Sequence, residues 1–445
     1  MTQIIMTCPS SRRVSADYIK KNLLKLSTIA VFIVIAILIS CSSSKKTSKP
    51  RSFDSLYDPN YISLFPEVQS YSKNDDSSVV YIRIRQQELL YNQANKENKL
   101  QATININYLL YEINDNQQFV DSGYVFQNLE KQPSEYFIFE IPVPAKSQKN
   151  YFIELEISDL NRNTSRTLFK SISRTEKLNQ QDFIITNPVT EEIFFAPFIN
   201  ANMPFRIKHY NQKYDSLFVS FYKNDFTTPL PPNDQRTILD TLAIPDTTFI
   251  CYTDSINYED FSCEGNYVFN PSKFNEIGFL LQNYGSSFPK VTTPCQLIEP
   301  LVYITDIGNC TNDSTNGRVT KLMVDNFWLS KAKNANRSRE LIKVFYSRVM
   351  YANHFFTSYK PGWQTDRGMI YIVYGAPDYL YKSAKEERWI YSPSDMGPSI
   401  IFNFEKIEHT FTTNHFVLNR TKQKITGWDE NVKMWNSGEV YYFQP

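Results

Sequence analysis

Residues 361–378 read Pro-Gly-Trp-Gln-Thr-Asp-Arg-Gly-Met-Ile-Tyr-Ile-Val-Tyr-Gly-Ala-Pro-Asp, and the folding of this run decides the architecture of the last third of the chain. Gly362 and Gly368 can take backbone angles closed to other residues, and Thr365 and Asp366 can satisfy turn amides through their side-chain oxygens. Trp363 supplies a large anchor. From Met369 to Tyr374 no charged residue interrupts the run, the pattern of a strand apolar on both faces. The expectation is a turn, a central strand and a second turn over Gly375, Ala376, Pro377 and Asp378.

Downstream, Trp389–Tyr391, Ile400–Phe404 and Phe411–Leu418 are candidate neighbours, giving a small, mainly antiparallel sheet. Upstream, Asp325–Ala332 and Arg337–Phe356 read as helix. Ile342, Phe345, Val349, Ala352 and Phe356 recur on the second at spacings of three and four and share one face. That stripe is expected to pack against the domain's own sheet rather than to form a partner groove.

Further upstream the period changes to two. Val80, Ile82 and Ile84 alternate with Tyr81, Arg83 and Arg85, and Ala102, Ile104, Ile106 and Tyr108 alternate with Thr103, Asn105 and Asn107. Ile153, Leu155 and Ile157 then alternate with Glu154, Glu156 and Ser158. Short strands separated by turn chemistry predict a β-sandwich of roughly one hundred residues. A second β-rich region follows, with strands at Phe183–Thr186, Ile193–Phe195, Phe205–Lys208, Leu217–Tyr222, Tyr267–Phe269 and Gly278–Leu281. Pro229, Pro231 and Pro232 mark a loop or an edge within it, because proline cannot donate to a sheet ladder. The fold class is therefore mainly β with a C-terminal α+β domain. The expected divisions are a leader at 1–40, a polar tether at 41–75, sandwiches at 76–178 and 179–308, and the α+β domain at 309–445, after a turn-rich stretch at Asn309–Asn316.

The leader has a basic start (Arg12, Arg13, Lys20, Lys21, Lys25) and an uncharged run from Leu26 to Ile39. The run is shorter than the roughly 20 apolar residues a membrane-spanning helix needs, and it ends at Leu38-Ile39-Ser40-Cys41. This resembles a bacterial lipobox, which implies lipidation of Cys41 and anchoring to a membrane. The tether that follows lacks an acidic cluster, which points to a periplasm-facing position at the outer membrane.

Of six cysteines, Cys251, Cys263, Cys295 and Cys310 remain for pairing in the exported part. In an oxidising compartment an even set of four reads as two disulfides of open connectivity, and their spacing does not suit a zinc site. Over all 445 residues, 47 Lys and Arg face 46 Asp and Glu, so no overall field recommends nucleic acid as partner. Removing residues 1–40, with five basic residues and one acidic, leaves 42 basic against 45 acidic side chains. No GxSxG elbow or phosphate-binding loop is present, the four histidines (His209, His354, His409 and His415) form no HExxH pair, and His409 with His415, six residues apart, fits no helical metal face. No cofactor or metal is expected.

The run Gly362-Trp363-Gln364-Thr365-Asp366 resembles the motif that names the GWxTD domain family, found in envelope proteins of Bacteroidetes and related phyla. The resemblance continues through Arg367 and Gly368, the Tyr371–Asp378 segment, Trp389 and Tyr391, and upstream through Phe327-Trp328, Arg348-Val349 and Ala352-Asn353. It implies an envelope setting rather than a reaction. The catalytic candidates are Asp366, Arg367 and Tyr371, with Tyr374, His354 and Asp378 close in sequence. A carboxylate beside an arginine is held ionised, which suits a structural ion pair better than a general acid. The expected function is that of a lipid-anchored, non-enzymatic accessory, docking or assembly subunit at the outer membrane, with a protein partner in the envelope. The alternatives are a glycan- or peptidoglycan-binding lipoprotein, and an envelope hydrolase with its site near Asp366.

Overall fold

The computed structural model describes residues 52–440 except 54–55, 60–63, 95–98, 115–117, 176–178, 197, 201–202, 211–213, 237–243, 254–255, 257, 273–277, 306–320, 333, 384, 393–397, 410–411, 413 and 422–426. The leader, Cys41, Cys310 and the turn-rich stretch at 309–316 lie outside the described residues.

Alternation builds the first sandwich. β1 (Glu67–Asn74), β2 (Ser77–Arg85) and β6 (Tyr136–Pro144) form a three-stranded antiparallel sheet. β3 (Asn92–Ala94), β4 (Lys99–Glu112), β7 (Lys149–Asp159) and β8 (Thr164–Arg174) form the second, with β5 (Gln118–Glu130) paired to the free side of β4. Val80, Ile82 and Ile84 of β2 meet Ala102, Ile104 and Ile106 of β4 and Ile153, Leu155 and Ile157 of β7 in one core. These are the apolar members of the alternating pairs, as the sequence requires.

The middle region combines β9 (Phe183–Thr186) paired to β10 (Arg206–His209) with β11 (Ser216–Lys223), β12 (Thr247–Tyr252), β13 (Gly265–Asn270) and β14 (Phe279–Asn283), ordered β12-β11-β13-β14. Phe183, Phe205, Leu217, Phe261, Phe269 and Phe279 fill its core. The expected strand at Ile193–Phe195 reduces to a single bridge between Thr186 and Ile193. β12 escaped the sequence reading because it is an edge strand whose side chains are mostly exposed, so it shows no clear alternation.

The C-terminal region contains α1 (Pro294–Ile298), α2 (Lys321–Lys331), α3 (Ala335–Phe356), α4 (Asp366–Tyr374) and α5 (Trp428–Asn436). They share one core with an antiparallel sheet of β15 (Tyr379–Lys382), β16 (Glu386–Tyr391), β17 (Ile400–Lys406) and β18 (Phe416–Leu418). The α3 stripe of Phe345, Val349, Ala352 and Phe356 enters this domain's own core, joined by Leu341, while Ile342 packs at its margin.

Two expectations are corrected. Met369–Tyr374 is helix, not a central strand: Thr365 is the N-cap of α4 and accepts from the amide of Gly368, and every residue from Asp366 to Tyr374 is buried. A helix buried on all sides shows the same continuous apolar run as a central strand, so periodicity cannot separate them. The stretch assigned to a polar tether also joins the fold before residue 76. β1 belongs to the first sandwich, and the Phe53 amide donates to the Leu380 carbonyl at 2.7 Å, while Leu56 and Tyr57 lie in the C-terminal core.

Of the cysteines, Cys251 and Cys263 are free thiols, which corrects the expectation of two disulfides drawn from all four. Cys251 points from β12 into the middle core, where burial pushes its thiol up to about 12, whereas Cys263 is exposed. Cys295 is disulfide-bonded.

Truncation of Leu56 tests the reach of the N-terminal segment. Leu56→Ala is expected to cost about 2–5 kcal/mol in equilibrium urea unfolding, as for a core leucine, while Leu90→Ala, at an exposed position, should stay within about 0.5 kcal/mol. A Leu56→Ala change no larger than that of Leu90→Ala would return this segment to a tether.

Candidate functional site

The motif begins with two contacts that leave no room for a side chain. A Cβ on Gly362 would sit 2.0 Å from the Ala352 carbonyl oxygen of α3, and one on Gly368 would sit 1.9 Å from the Gly362 carbonyl oxygen. Glycine at both positions lets the turn at Gly362–Gln364 press against α3 and lets α4 start directly on that turn. Asn353 secures the joint: its Oδ1 accepts from the Trp363 amide at 3.0 Å, and its Nδ2 donates to the Pro289 carbonyl at 2.9 Å. The Thr357 hydroxyl accepts from the Gly362 amide at 2.9 Å. Trp363 is buried, and its carbonyl accepts from the hydroxyl of Tyr303 at 2.8 Å. The Thr365 hydroxyl donates to the Gly362 carbonyl at 2.7 Å while accepting from the Gly368 amide at 3.0 Å.

Asp366 and Arg367 are neighbours in sequence but do not form the ion pair that their adjacency suggested. Asp366 takes the Arg420 guanidinium on both oxygens, at 2.7 and 3.2 Å, and the Leu418 amide at 2.8 Å. Arg367 turns to Glu387 at 2.9 Å and to Asn414, whose carbonyl and side-chain oxygens lie at 2.8 and 2.6 Å. Its guanidinium also lies over the rings of Phe416 and Phe356. Tyr371, the third candidate, donates to the backbone carbonyl of Tyr57 at 2.8 Å, and burial pushes its phenol up. Each candidate is thus committed to a different protein partner.

Glu387 organises the surrounding charges. Its carboxylate accepts from Arg367, from the Tyr57 hydroxyl at 2.9 Å, from Trp389 Nε1 at 3.1 Å and from Lys382. Burial alone would raise its pKa, but the charges of Lys382 and Arg367 with these hydrogen bonds outweigh it and hold the carboxyl at about 2. Tyr57 is pushed up by burial and then by the Glu387 charge. For Lys382 burial pulls down, yet Glu387 with Tyr57 prevails and the ammonium is favoured.

The sequence reading missed Glu387, Lys382, Tyr57, Arg420 and Asn414. A signal was present for two of them. In β16, Glu387 falls in phase with the buried Trp389 and Tyr391, and in β15, Lys382 falls in phase with the buried Leu380. A carboxylate and an ammonium at core positions of adjacent strands predict a buried pair. Tyr57, Arg420 and Asn414 come from loops and carry no such phase.

The remaining candidates lie elsewhere. His354 lies against Phe65 and Phe355, and burial lowers its pKa. Asp378 accepts from the Ser392 amide at 2.6 Å and closes the turn into the sheet. His409 and His415, six residues apart around a turn, both pack on the ring of Tyr359, and His415 is pushed down to about 4, first by burial and then by His409. Among the described residues no group of three or more His, Cys, Asp or Glu side chains could hold a metal ion.

Two sets of variants check this geometry. Gly368→Ala is expected to prevent accumulation of folded protein, since its Cβ meets backbone on a helix start that cannot yield. Arg367→Met should cost roughly 1–3 kcal/mol, because Glu387 keeps Lys382 but loses one charged donor, and the Asn414 oxygens lose theirs. Because the folded pKa of Glu387 lies below that of the unfolded chain, its contribution is present above the ordinary carboxylate value of 4.5 and fades as pH falls toward about 2. Urea unfolding from pH 6 to 3 should therefore show a shallower loss of stability in Glu387→Gln than in the parent; parallel slopes would refute the depressed carboxyl.

With the geometry established, comparison with known proteins gives a family assignment for one region. The family model for the GWxTD domain matches residues 265–437. The match starts at the first residue of β13, well before the expected domain start at 309. No curated protein matches the chain. Among solved structures, β-glucuronidase 2 of Bacteroides uniformis, covalently bound to cyclophellitol-6-carboxylate aziridine, aligns at 12% identity over 30% of this chain and 15% of that one, with a TM-score of 0.17. A Parabacteroides merdae β-glucuronidase aligns at 11% identity over 24% of this chain and 12% of that one, with a TM-score of 0.15. Scores of this size establish no shared fold. The motif lies inside the matched stretch, and residues 265–437 are a GWxTD domain.

Proposed function

We propose that this protein is a lipid-anchored envelope subunit, held at the outer membrane through Cys41 and facing the periplasm, whose GWxTD domain is a framework for docking a protein partner. The observation that carries the reading is the burial of Asp366 and Arg367, each engaged by Arg420 or by Glu387 and Asn414. A hydrolase site would need these side chains to converge on a space open to substrate, whereas Asp366, Arg367 and Tyr371 are bonded inward to three separate partners. The anchoring rests on the basic, apolar and Leu-Ile-Ser-Cys order of the N-terminus. An oxidising compartment also suits the disulfide of Cys295, for which Cys310 is the proposed partner, since Cys251 and Cys263 are free.

Two measurements test the reading. Cys41→Ser should abolish incorporation of labelled palmitate and release the protein from the membrane fraction. Affinity purification of the tagged full chain from solubilised envelopes should recover a stoichiometric envelope protein. Recovery of the tagged chain alone, or palmitate labelling that survives Cys41→Ser, would overturn the corresponding half of the proposal.

A further inference from the structure

The sheet of the first sandwich has an outer face that the C-terminal region covers only in part. Near β7 and β8, Phe152 stacks on Phe169, which meets Phe53 edge-on at 4.8 Å. Toward β4 and β5 the same face is open. The register places Tyr124 opposite Asn107, Phe126 opposite Asn105, Asn128 opposite Thr103 and Phe119 opposite Tyr111. On the other side of β4, Asn105 faces Ser158, Asn107 faces Glu156 and Leu109 faces Glu154.

The result is three parallel stripes: aromatic rings on β5, amides on β4 and carboxylates on β7. Tyr124 is 74% exposed, Phe119 56% and Phe126 54%, on a strand where large apolar side chains would ordinarily be covered. Tyr124 and Phe126, two residues apart on one strand, stand about 7 Å from each other. Asn105 donates to Asn107 at 3.2 Å, and Asn107 donates to Glu156 at 3.4 Å. An amide has two N–H groups and two lone pairs, so this ladder keeps donors and acceptors for a ligand.

Charge selects the occupant. Between the Gln101–Glu130 and Tyr111–Phe119 pairs, these strands place no Lys or Arg on the face, while Glu154 and Glu156 lie along it. Nucleic acid, sulfated polymers and anionic lipid surfaces are therefore disfavoured. A second copy pairing edge to edge through β5 would bring together two strands that each carry Asp121 and Glu130 and no Lys or Arg between Gln118 and Glu130. An uncharged polyhydroxylated chain meets neither penalty, since its C–H faces stack on rings and its hydroxyls bond to amides and carboxylates.

We infer that the outer face of β4 and β5 binds an uncharged glycan chain, with Tyr124 and Phe126 as stacking platforms and Asn105 and Asn107 as hydroxyl partners. The inference does not depend on lipid anchoring or on the role of the GWxTD domain.

The test uses the full chain in mild detergent, with insoluble chitin and insoluble cellulose as probes and heparin resin as the anionic counterpart. The parent should be depleted by at least one neutral polysaccharide. The Tyr124→Ala/Phe126→Ala double variant should lose roughly tenfold or more in apparent affinity without a change in melting temperature, because both rings are exposed. Tyr379→Ala, which removes an exposed ring from β15, should bind like the parent. Failure of the parent to bind either polysaccharide, parental binding by the double variant, or retention on heparin alone would overturn the inference. So would a parent that is dimeric by light scattering and becomes monomeric in the double variant, since the face would then join two copies.

Discussion

A buried carboxylate sets the terms for the C-terminal domain. Glu387 lies on an inner strand position with no access to water, where an isolated charge would cost several kcal/mol. It is retained because Arg367, Lys382, Tyr57 and Trp389 all donate to it. The dependence is mutual: without Glu387, Arg367 and Lys382 would be two cations close together in a dry interior. Each partner comes from a different element, namely α4, β15, the N-terminal segment and β16. Satisfying one carboxylate therefore fixes four pieces of chain relative to one another, and the apolar contacts around it fill the space that this arrangement leaves.

The named motif then follows from geometry. For Arg367 to reach Glu387, α4 must start close against the end of α3, and a Cβ at Gly362 or Gly368 would block that approach. Thr365 caps the helix and ties its first turn to Gly362, while Asp366 holds the β18 end through the Leu418 amide and Arg420. At the other end of α4, Arg348 donates to the carbonyls of Ile372 and Val373, at 3.1 and 3.0 Å, and Trp435 Nε1 also donates to Val373, at 3.0 Å. A fully buried helix has its terminal backbone groups satisfied by side chains, as burial demands.

Much of the first sandwich was legible in the sequence because one face of each strand is buried, which writes the period directly into Val80–Arg85, Ala102–Tyr108 and Ile153–Ser158. The α3 stripe was legible for the same reason at period 3.6. The signal failed where burial was two-sided or absent: α4, buried all round, passed for a strand, and β12, exposed on its edge, gave no strand pattern. Of the site, Trp363, Thr365, Asp366 and Arg367 were legible as a motif, but their partners were not. Asp366 finds Arg420 across 54 residues, and Arg367 finds Asn414 across 47. Pairing at such separations is set by the assembled fold and leaves no local pattern. Tyr57 shows the limit most clearly, since a short segment behind a polar run gives no hint that it closes a core more than 300 residues away.

Long-range support also accounts for a family match that begins at β13 rather than at the first helix. β13 and β14 are buried on both faces. One face fills the middle core with Tyr267, Phe269, Phe279 and Leu281, and the other turns Val268 and Leu280 toward Tyr359, just before the motif. Asn266 and Tyr284 donate to the Tyr359 carbonyl at 2.7 and 3.0 Å, and Gln282 donates to the Ser358 carbonyl at 2.9 Å. These carbonyls belong to the turn that delivers Gly362 to α3, so the polar face of β13 and β14 positions the motif as directly as α3 does. Arg420 extends the link by donating to the Leu230 carbonyl while gripping Asp366. A unit cut at the first helix would expose the apolar side of Tyr359 and leave those carbonyls without donors. The physical domain thus includes the last two strands of the middle sheet, and the middle sheet is part of the support on which the motif stands.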